Sequence, residues 1–208
     1  MFFHLMHKHQ NRFFGAALMF IALASLFSCK ENSFQSGTVI YSDTVFNGRY
    51  NKAGFDVNLN NIPSHNKIIV SFDLYIHDSW DGNNGGIDGP DFWQMKVDGR
   101  TVIYTTFSNR FCEGFSCGSQ SYPSNYLVNN YPATGREAIE LKGACVLGNE
   151  RGTSLYKIVR VVPHSGADLS INFRDFLKQS NAADSFQLCD ESWSIDNLEI
   201  KANTVSIQ

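Results

Sequence analysis

Apolar and polar residues alternate along much of the chain after residue 37, which is the pattern of β-strands that bury one face. The clearest stretch runs from Lys67 to Trp80, where every second residue from Val70 to Ile76 is aliphatic or aromatic. Two more alternating runs, Phe92–Val97 and Thr101–Phe107, flank the sequence Asp98-Gly99-Arg100. Because glycine adopts the positive φ that tight turns need, these two runs are predicted to form a β-hairpin.

Strands are predicted over most of the remaining chain, and helix is scarce. Asp175–Ala183 is expected to hold one or two helical turns, and the first predicted strand is expected to pair with the last. Many short strands separated by turn residues indicate an all-β fold, namely a two-sheet antiparallel β-sandwich. The additional strands are predicted at Thr38–Val45, Glu137–Leu141, Ser154–Val162, Asp168–Arg174 and Ser192–Lys201.

The first 28 residues have the pattern of an export signal. Lys8 and Arg12 precede an apolar run from Phe13 to Phe27, and no acidic residue occurs before Glu31. As a helix this run spans roughly 22 Å, less than the roughly 30 Å hydrocarbon core, which favours a signal peptide over a membrane-spanning helix. The sequence Leu26-Phe27-Ser28-Cys29 resembles the bacterial lipobox, which implies lipidation of Cys29 and anchoring to the outer membrane. The alternative is an ordinary secretory signal, and export follows in either case.

The expected organisation is a signal peptide at 1–28, a polar tether at 29–37, a β-sandwich domain at 38–202 and a tail at 203–208. The tether resembles the charged segment of surface-directed lipoproteins. Without residues 1–28 the chain has 180 residues, enough for one domain, with 15 basic against 20 acidic residues and a net charge near −5. That charge opposes binding to a phosphate backbone, so nucleic acid is not expected as a partner.

Four cysteines follow Cys29, and an even number in an exported chain favours two disulfide bridges. Three pairings are possible. The preferred one is Cys112–Cys117 with Cys145–Cys189, because the glycine-containing segment between the first two can fold back as a local loop. The Cys-x-x-Cys or Cys/His spacing of zinc sites is absent from the sequence.

Four aspartates lie in or beside the glycine-rich loop between the two clearest strand regions. They are Asp78, Asp81, Asp88 and Asp91. Calcium takes six to eight oxygen ligands, and carboxylates on a flexible loop can converge on one ion. We therefore expect a calcium site, with Asp81, Asp88 and Asp91 as ligands and Asp78 as a support. The alternative is a solvated turn in which Asp and Asn favour tight backbone geometry.

Aromatic residues form the second group of candidate binding residues. Tyr122, Tyr126 and Tyr131 lie near two prolines in a long segment of weak periodicity, and such rings serve as platforms for sugars. The alternative is that they cover one edge of the sandwich. The three tryptophans, Trp80, Trp93 and Trp193, are expected in the core because each falls on or beside a predicted strand.

Two segments, Phe72–Asp81 and Asp190–Ile200, are rich in Trp and Asp, and they are accompanied by the hairpin at Val97-Asp98-Gly99 and the sequence Thr106–Asn109. Together these segments resemble jelly-roll modules of the laminin-G-like and MAM-like kind, over roughly residues 38–202. The resemblance implies a Greek-key sandwich, a structural calcium near the rim of a sheet, and a role in adhesion or glycan binding. It implies no catalytic residue.

These observations favour a surface-anchored binding module for a cell-surface or extracellular glycan. A module that binds a surface protein is the second possibility, and a glycoside hydrolase is the third. The Glu-x-Asp-x-Glu strand of laminarinase-like hydrolases is not matched, because Ser194 and Leu198 stand where the glutamates are required. Another carboxylate pair, such as Asp81 with Glu113, would have to serve instead.

Overall fold

The computed structural model describes residues 37–45, 47–109, 118–145, 147–148, 151–180 and 183–204. The predicted signal peptide, the predicted lipidation site Cys29 and the predicted Cys112–Cys117 bridge lie outside these residues. The described part of the chain contains nine strands and one short helix. They are β1 Thr38–Asp43, β2 Asn47–Tyr50, β3 Gly54–Leu59, β4 Lys67–Asp78, β5 Phe92–Val97, β6 Arg100–Thr106, β7 Thr153–Pro163, β8 Leu169–Phe176, α1 Gln187–Asp190 and β9 Glu191–Asn203.

The strands form two antiparallel sheets, which confirms the predicted all-β sandwich. The five-stranded sheet has the order β1-β9-β4-β7, with β2 also paired to β9, and the four-stranded sheet has the order β3-β8-β5-β6. As predicted, the first strand pairs with the last, in the register Thr38 opposite Ala202. The jelly-roll connectivity within this class stays a prediction.

The core lies between the sheets and is built from the alternating residues of each strand. In β4 the side chains of Val70, Leu74 and Ile76 are fully buried, and Phe72 on the same face is 3% exposed. Ser71, Asp73 and Tyr75 alternate with them and are only partly buried. The three tryptophans are also fully buried, as predicted. At about 25 cal/mol per Å² of apolar surface removed from water, such burial is the main term that stabilises the sandwich.

The hairpin between β5 and β6 turns at Asp98 and Gly99, whose φ angles are +48° and +74°. Two consecutive positive φ values define the type I′ turn, which matches the twist of the flanking strands. The predicted hairpin is therefore confirmed.

Two local expectations were wrong, and two strands were missed. Asp175 and Phe176 end β8 instead of starting a helix, and the described helix lies later, at Gln187–Asp190. Glu137–Leu141 is not a strand and contributes one isolated bridge, from Leu141 to Thr153. The strands β2 and β3 were not predicted at all.

A disulfide bridge joins Cys145 to Cys189, with the two Cα atoms 4.9 Å apart, and so confirms that half of the preferred pairing. The bridge ties the loop before β7 to the helix α1. Because α1 leads directly into β9, the bridge also fixes the start of the last strand.

Candidate metal centre and ligand-binding face

Three carboxylates meet at one end of the sandwich, and we call them the acidic triad. Asp81 follows β4, Asp91 precedes β5, and Glu191 is the first residue of β9. One oxygen of each lies within 4.8 Å of one oxygen of each of the others. Their exposed fractions are 5%, 0% and 2% for Asp81, Asp91 and Glu191, so all three are buried.

Hydrogen bonds hold the two aspartates in place. The Asp81 amide donates to Oδ2 of Asp91 at 2.9 Å, and the Lys178 amide donates to Oδ1 of Asp91 at 3.2 Å. The neighbouring Trp80 donates its indole N–H to the carbonyl of Ser192 at 3.0 Å. These bonds bring the loop after β4 against the start of β9, although more than one hundred residues separate them in sequence.

Glycine allows this loop to pack closely on a distant segment. Gly82 has a φ of +69°, and a Cβ atom there would lie 2.2 Å from the carbonyl oxygen of Ser119. The next residue, Asn83, donates its amide to that same carbonyl and its side-chain amide to the carbonyl of Val128. Part of the glycine and asparagine content therefore serves packing and not ligation.

Burial and mutual repulsion disfavour the charged forms of the triad. Burial raises the pKa of Asp91 to about 7, and the Asp81 carboxylate adds to the effect. The pKa of Glu191 is also raised, first by burial and then by Asp91 and Asp81. Its Oε2 atom is buried and has no hydrogen-bond partner among the described residues. Buried oxygens that converge in this way fit a hard cation such as Ca²⁺, which would supply the missing positive charge.

Of the three aspartates predicted as ligands, Asp81 and Asp91 belong to the triad and Asp88 does not, and Asp78, predicted as a support, also lies outside it. Asp78 has a φ of +63° and accepts the backbone amides of Cys145 and Leu147, each at 3.0 Å, so it anchors the loop before β7. Asp88 instead accepts the Ser180 hydroxyl at 2.6 Å. The structure therefore does not bring Asp78 and Asp88 into the group of oxygens that Asp81 and Asp91 form with Glu191.

Glu191 was not predicted as a ligand. Its distance in sequence explains this, because no local pattern connects the first residue of β9 with a loop about a hundred positions earlier. The available signal was its place in the Trp- and Asp-rich segment that begins at Asp190.

Three aromatic rings cluster on the outer side of the four-stranded sheet, and we call them the aromatic face. Phe92 and Tyr104 stack with their centroids 4.5 Å apart, and Tyr126 meets Phe92 edge-on at 4.8 Å. Phe92 and Tyr104 point outward because they alternate with the buried Trp93 and Ile103. Phe92 and Tyr104 are partly exposed, and Tyr126 is 38% exposed.

The segment after β6 delivers Tyr126 to this cluster. Its amide donates to the carbonyl of Tyr104 at 2.8 Å, and the Tyr104 amide donates to Oδ1 of Asn125 at 2.9 Å. Polar side chains adjoin the rings, since Gln94 pairs in register with Tyr104 on one side and with Arg174 on the other. Gln94 is only 8% exposed, whereas the Arg174 side chain is 33% exposed. The surface therefore combines ring edges and faces with a guanidinium group.

A groove of about 490 Å³ adjoins the aromatic face and shares Phe92 with it. Its lining includes the cationic residues Lys52, Arg174 and Lys178 together with the apolar side chain of Phe176. We call it the cationic groove. Phe176 is 50% exposed, which is unusual for a ring of that size.

The other two tyrosines predicted to bind ligand lie elsewhere. Tyr122 is only 6% exposed and packs on Phe107 and Tyr156, with centroids 4.9 and 5.0 Å away, so it is a core residue and cannot serve as a platform. Tyr131 is 78% exposed and lines a separate shallow pocket of about 350 Å³ with Asn129 and Asn130.

The sequence matches no protein-family model and no curated protein. Function must therefore be inferred from this chain's own residues. In the part of the chain that the structure describes, no helix is both long and apolar enough to cross a membrane.

Proposed function

We propose that this protein is an exported, lipid-anchored and non-catalytic module that binds a glycan on its aromatic face. The observation that carries the proposal is the contact between Phe92, Tyr104 and Tyr126 on the outer surface of a sheet. Exposed apolar patches on a soluble domain mark interaction sites, and this one is rimmed by hydrogen-bonding groups.

A glycan fits the mixture of groups. The C–H bonds on one side of a pyranose ring pack on aromatic rings, while its hydroxyls need planar hydrogen-bonding groups such as the Arg174 guanidinium. Both kinds of group lie on adjacent strands of one sheet, where they are held rigidly. Binding at such a surface requires little ordering of side chains, which favours affinity.

The carboxylates that come together suit a shared cation better than glycosidic cleavage. Retaining glycosidases hold their two carboxyl groups about 5 to 5.5 Å apart, and inverting enzymes about 6.5 to 9.5 Å, in a cleft open to the sugar. The three acids of the triad lie within 4.8 Å of one another and are at most 5% exposed. A sugar chain has no access to oxygens that are buried so fully.

We further propose that the triad holds a structural Ca²⁺ ion that supports the binding surface. The supporting observation is the buried Oε2 atom of Glu191, which has no hydrogen-bond partner among the described residues. Asp91 directly precedes Phe92, so an ion at the triad would fix the start of β5 and, with it, one ring of the aromatic face. Calcium would then act on ligand affinity through the position of Phe92.

A glycan array followed by affinity electrophoresis tests the proposal. Tyr126→Ala and Tyr104→Ala are expected to weaken binding to any glycan that the wild type retains by about tenfold or more, as at other aromatic anchors. Tyr75→Ala is the matched control, because Tyr75 lies on the other sheet beside His77. A thermal melt of each variant checks that it folds.

The same experiment distinguishes the two tyrosine-containing surfaces. Loss of binding in Tyr131→Ala but not in Tyr126→Ala would place the ligand in the pocket beside Asn129 and would contradict the aromatic face. An array on which the wild-type protein binds no glycan would contradict the proposed function itself.

A protein ligand is the second candidate function. Leu127 and Val128 are 66% and 40% exposed and follow Tyr126 directly, which extends the apolar patch beyond the rings. Protein interfaces commonly contain such an apolar centre with a polar rim. Cross-linking on intact cells that captures one partner only when Leu127 and Val128 are unchanged, together with an empty glycan array, would favour this function.

A further inference from the structure

The cationic groove is more positive than the composition of the chain would lead one to expect. The whole chain has a net charge of −3, yet Lys52, Arg174 and Lys178 line one groove of about 490 Å³. Lys52 and Lys178 are exposed, and the Arg174 side chain is 33% exposed. These cations can therefore meet a ligand from solution.

Two carboxylates adjoin the groove, and both have partners within the protein. Asp56 lies 3.3 Å from the Arg174 guanidinium. Asp175 is 4% exposed and accepts the Trp193 indole N–H and the Ala53 amide. Neither carboxylate lies near enough to Lys52 or Lys178 to form an ion pair within the described residues.

The groove is also apolar, and it is continuous with the aromatic face. Phe92 belongs to both, and Phe176, which pairs with Phe92 in register on the neighbouring strand, adds a second exposed ring. The volume is within the range of small-ligand sites, about 300 to 1,000 Å³. A ligand that spans both surfaces must carry negative charge at one end and flat apolar faces along its length.

We propose that the ligand of the aromatic face is an acidic polysaccharide, whose carboxylate or sulfate group enters the cationic groove while its sugar rings pack on Phe92 and Tyr126. This inference rests on the proposed function and names the ligand class. Arg174 has planar N–H donors, one of which also bonds to Asp56, and Lys52 and Lys178 add two exposed ammonium groups to the same groove.

Binding to immobilised polysaccharides tests the inference. The probes are polygalacturonate, which carries carboxylates, dextran sulfate, which carries sulfates, and unmodified dextran, which is neutral. The full-length protein is expected to bind at least one acidic probe about tenfold more tightly than neutral dextran at about 50 mM NaCl, and to lose most of that preference at about 500 mM NaCl.

The double variant Lys52→Ala/Lys178→Ala is expected to lower affinity for the acidic probe about tenfold. The hydrogen bond from Lys178 to Asp91 uses the backbone amide, so the substitution leaves it intact. Lys157→Ala is the control, because Lys157 is an exposed lysine on β7 in the other sheet. Polyglutamate is the control for charge without sugar rings.

Each outcome decides a different point. Loss of binding to the acidic probe in the double variant, with Lys157→Ala unchanged, supports the inference. The acidic probe that the wild type binds shows whether the groove recognises a carboxylate or a sulfate group. Equal binding to polyglutamate, or equal binding of wild type and double variant, overturns it. If wild type binds neutral glycans through Tyr126 and ignores the acidic probes, the inference fails while the proposed function stands. If it binds no saccharide at all, both fail.

Discussion

Calcium is expected to stabilise this protein through the acidic triad, and a thermal melt measures the effect. An ion bound only by the native state adds RT ln(1 + [L]/Kd) to stability, which is about 2.7 kcal/mol at a calcium concentration one hundred times Kd. For a domain of about this size, 1 kcal/mol moves the Tm by about 2 to 4 °C, so the expected rise is about 5 to 10 °C over the chelated sample.

The variant Glu191→Gln separates a metal site from an ordinary acidic cluster. It keeps the shape of the side chain and replaces one of three carboxyl groups whose oxygens lie within 4.8 Å of one another. In chelator the variant is expected to be about as stable as wild type, because burial and the neighbouring Asp91 and Asp81 raise the pKa of Glu191 and keep its carboxyl group protonated and neutral. In calcium the variant is expected to be less stable than wild type, since a ligand is missing.

Asp88→Asn is the matched control for this experiment. Asp88 lies on the same loop as Asp81, yet its carboxylate bonds to Ser180 and not to the triad. The control is expected to keep the full calcium response. The proposed site is refuted if wild type shows no shift, or if Asp88→Asn loses the shift while Glu191→Gln retains it.

The calcium response is also expected to depend on pH. In the metal-free protein, burial raises the pKa of Asp91 to about 7, above its value in the unfolded chain. The contribution of this carboxyl group to stability is therefore complete below about pH 4 and is lost as pH rises through about 7. Since calcium replaces the proton, the Tm rise is expected to be larger at about pH 8 than at about pH 5.

Three further predictions concern the fold, and denaturant unfolding measures each of them. Reduction of the Cys145–Cys189 bridge, which spans 44 residues, is expected to lower the free energy of unfolding by about 4 kcal/mol on the chain-entropy model, and no change would contradict that account. Gly99→Ala is expected to cost about 1 kcal/mol from backbone strain alone, because φ is +74° and no atom lies within 4 Å of the new Cβ. Leu74→Ala, at a fully buried position, is expected to cost about 2 to 5 kcal/mol, whereas Val159→Ala, at a position that is 48% exposed, should cost far less. Equal losses for the last two would contradict the assigned core.

The strands that the sequence predicted most closely are those in which the alternation of apolar residues and the residues of the adjoining turn indicate the same structure. The run through Leu74 alternates over its whole length, and Asp98-Gly99 permits one tight turn, so β4, β5 and β6 could be placed closely. The four-residue strand β2 has no comparable period and is held by pairing with β9. In β3, Phe55, Val57 and Leu59 do alternate, and that signal was available.

The helix expected at Asp175–Ala183 failed because a carboxylate occupies an inward position. Asp175 continues the inward series of β8 and accepts the indole N–H of Trp193, a partner that no local pattern identifies. In the sequence alone, a polar residue at an inward position of a strand resembles a loop or helix residue, because the side chain that it bonds to in the core is not known.

The candidate binding residues also differ in whether a local pattern in the sequence could predict them. Asp81 and Asp91 could be predicted as ligands because both lie on one loop, whereas Glu191 depends on a contact with a distant strand. Phe92 and Tyr104 occupy outward positions of the predicted hairpin strands, where a large exposed aromatic residue is unusual.

The last strand in sequence, β9, occupies the middle of its sheet, between β1 and β4. It brings Trp193, Ile195 and Ile200 to the core and Glu191 to the triad. A growing chain therefore cannot complete this sheet, or assemble the three carboxylates, until β9 has been synthesised through Asn203. Contacts between such distant positions form slowly, so the sheet is expected to stay incomplete until β9 is available to pair. A chain truncated after residue 186 is accordingly expected to show no cooperative unfolding transition.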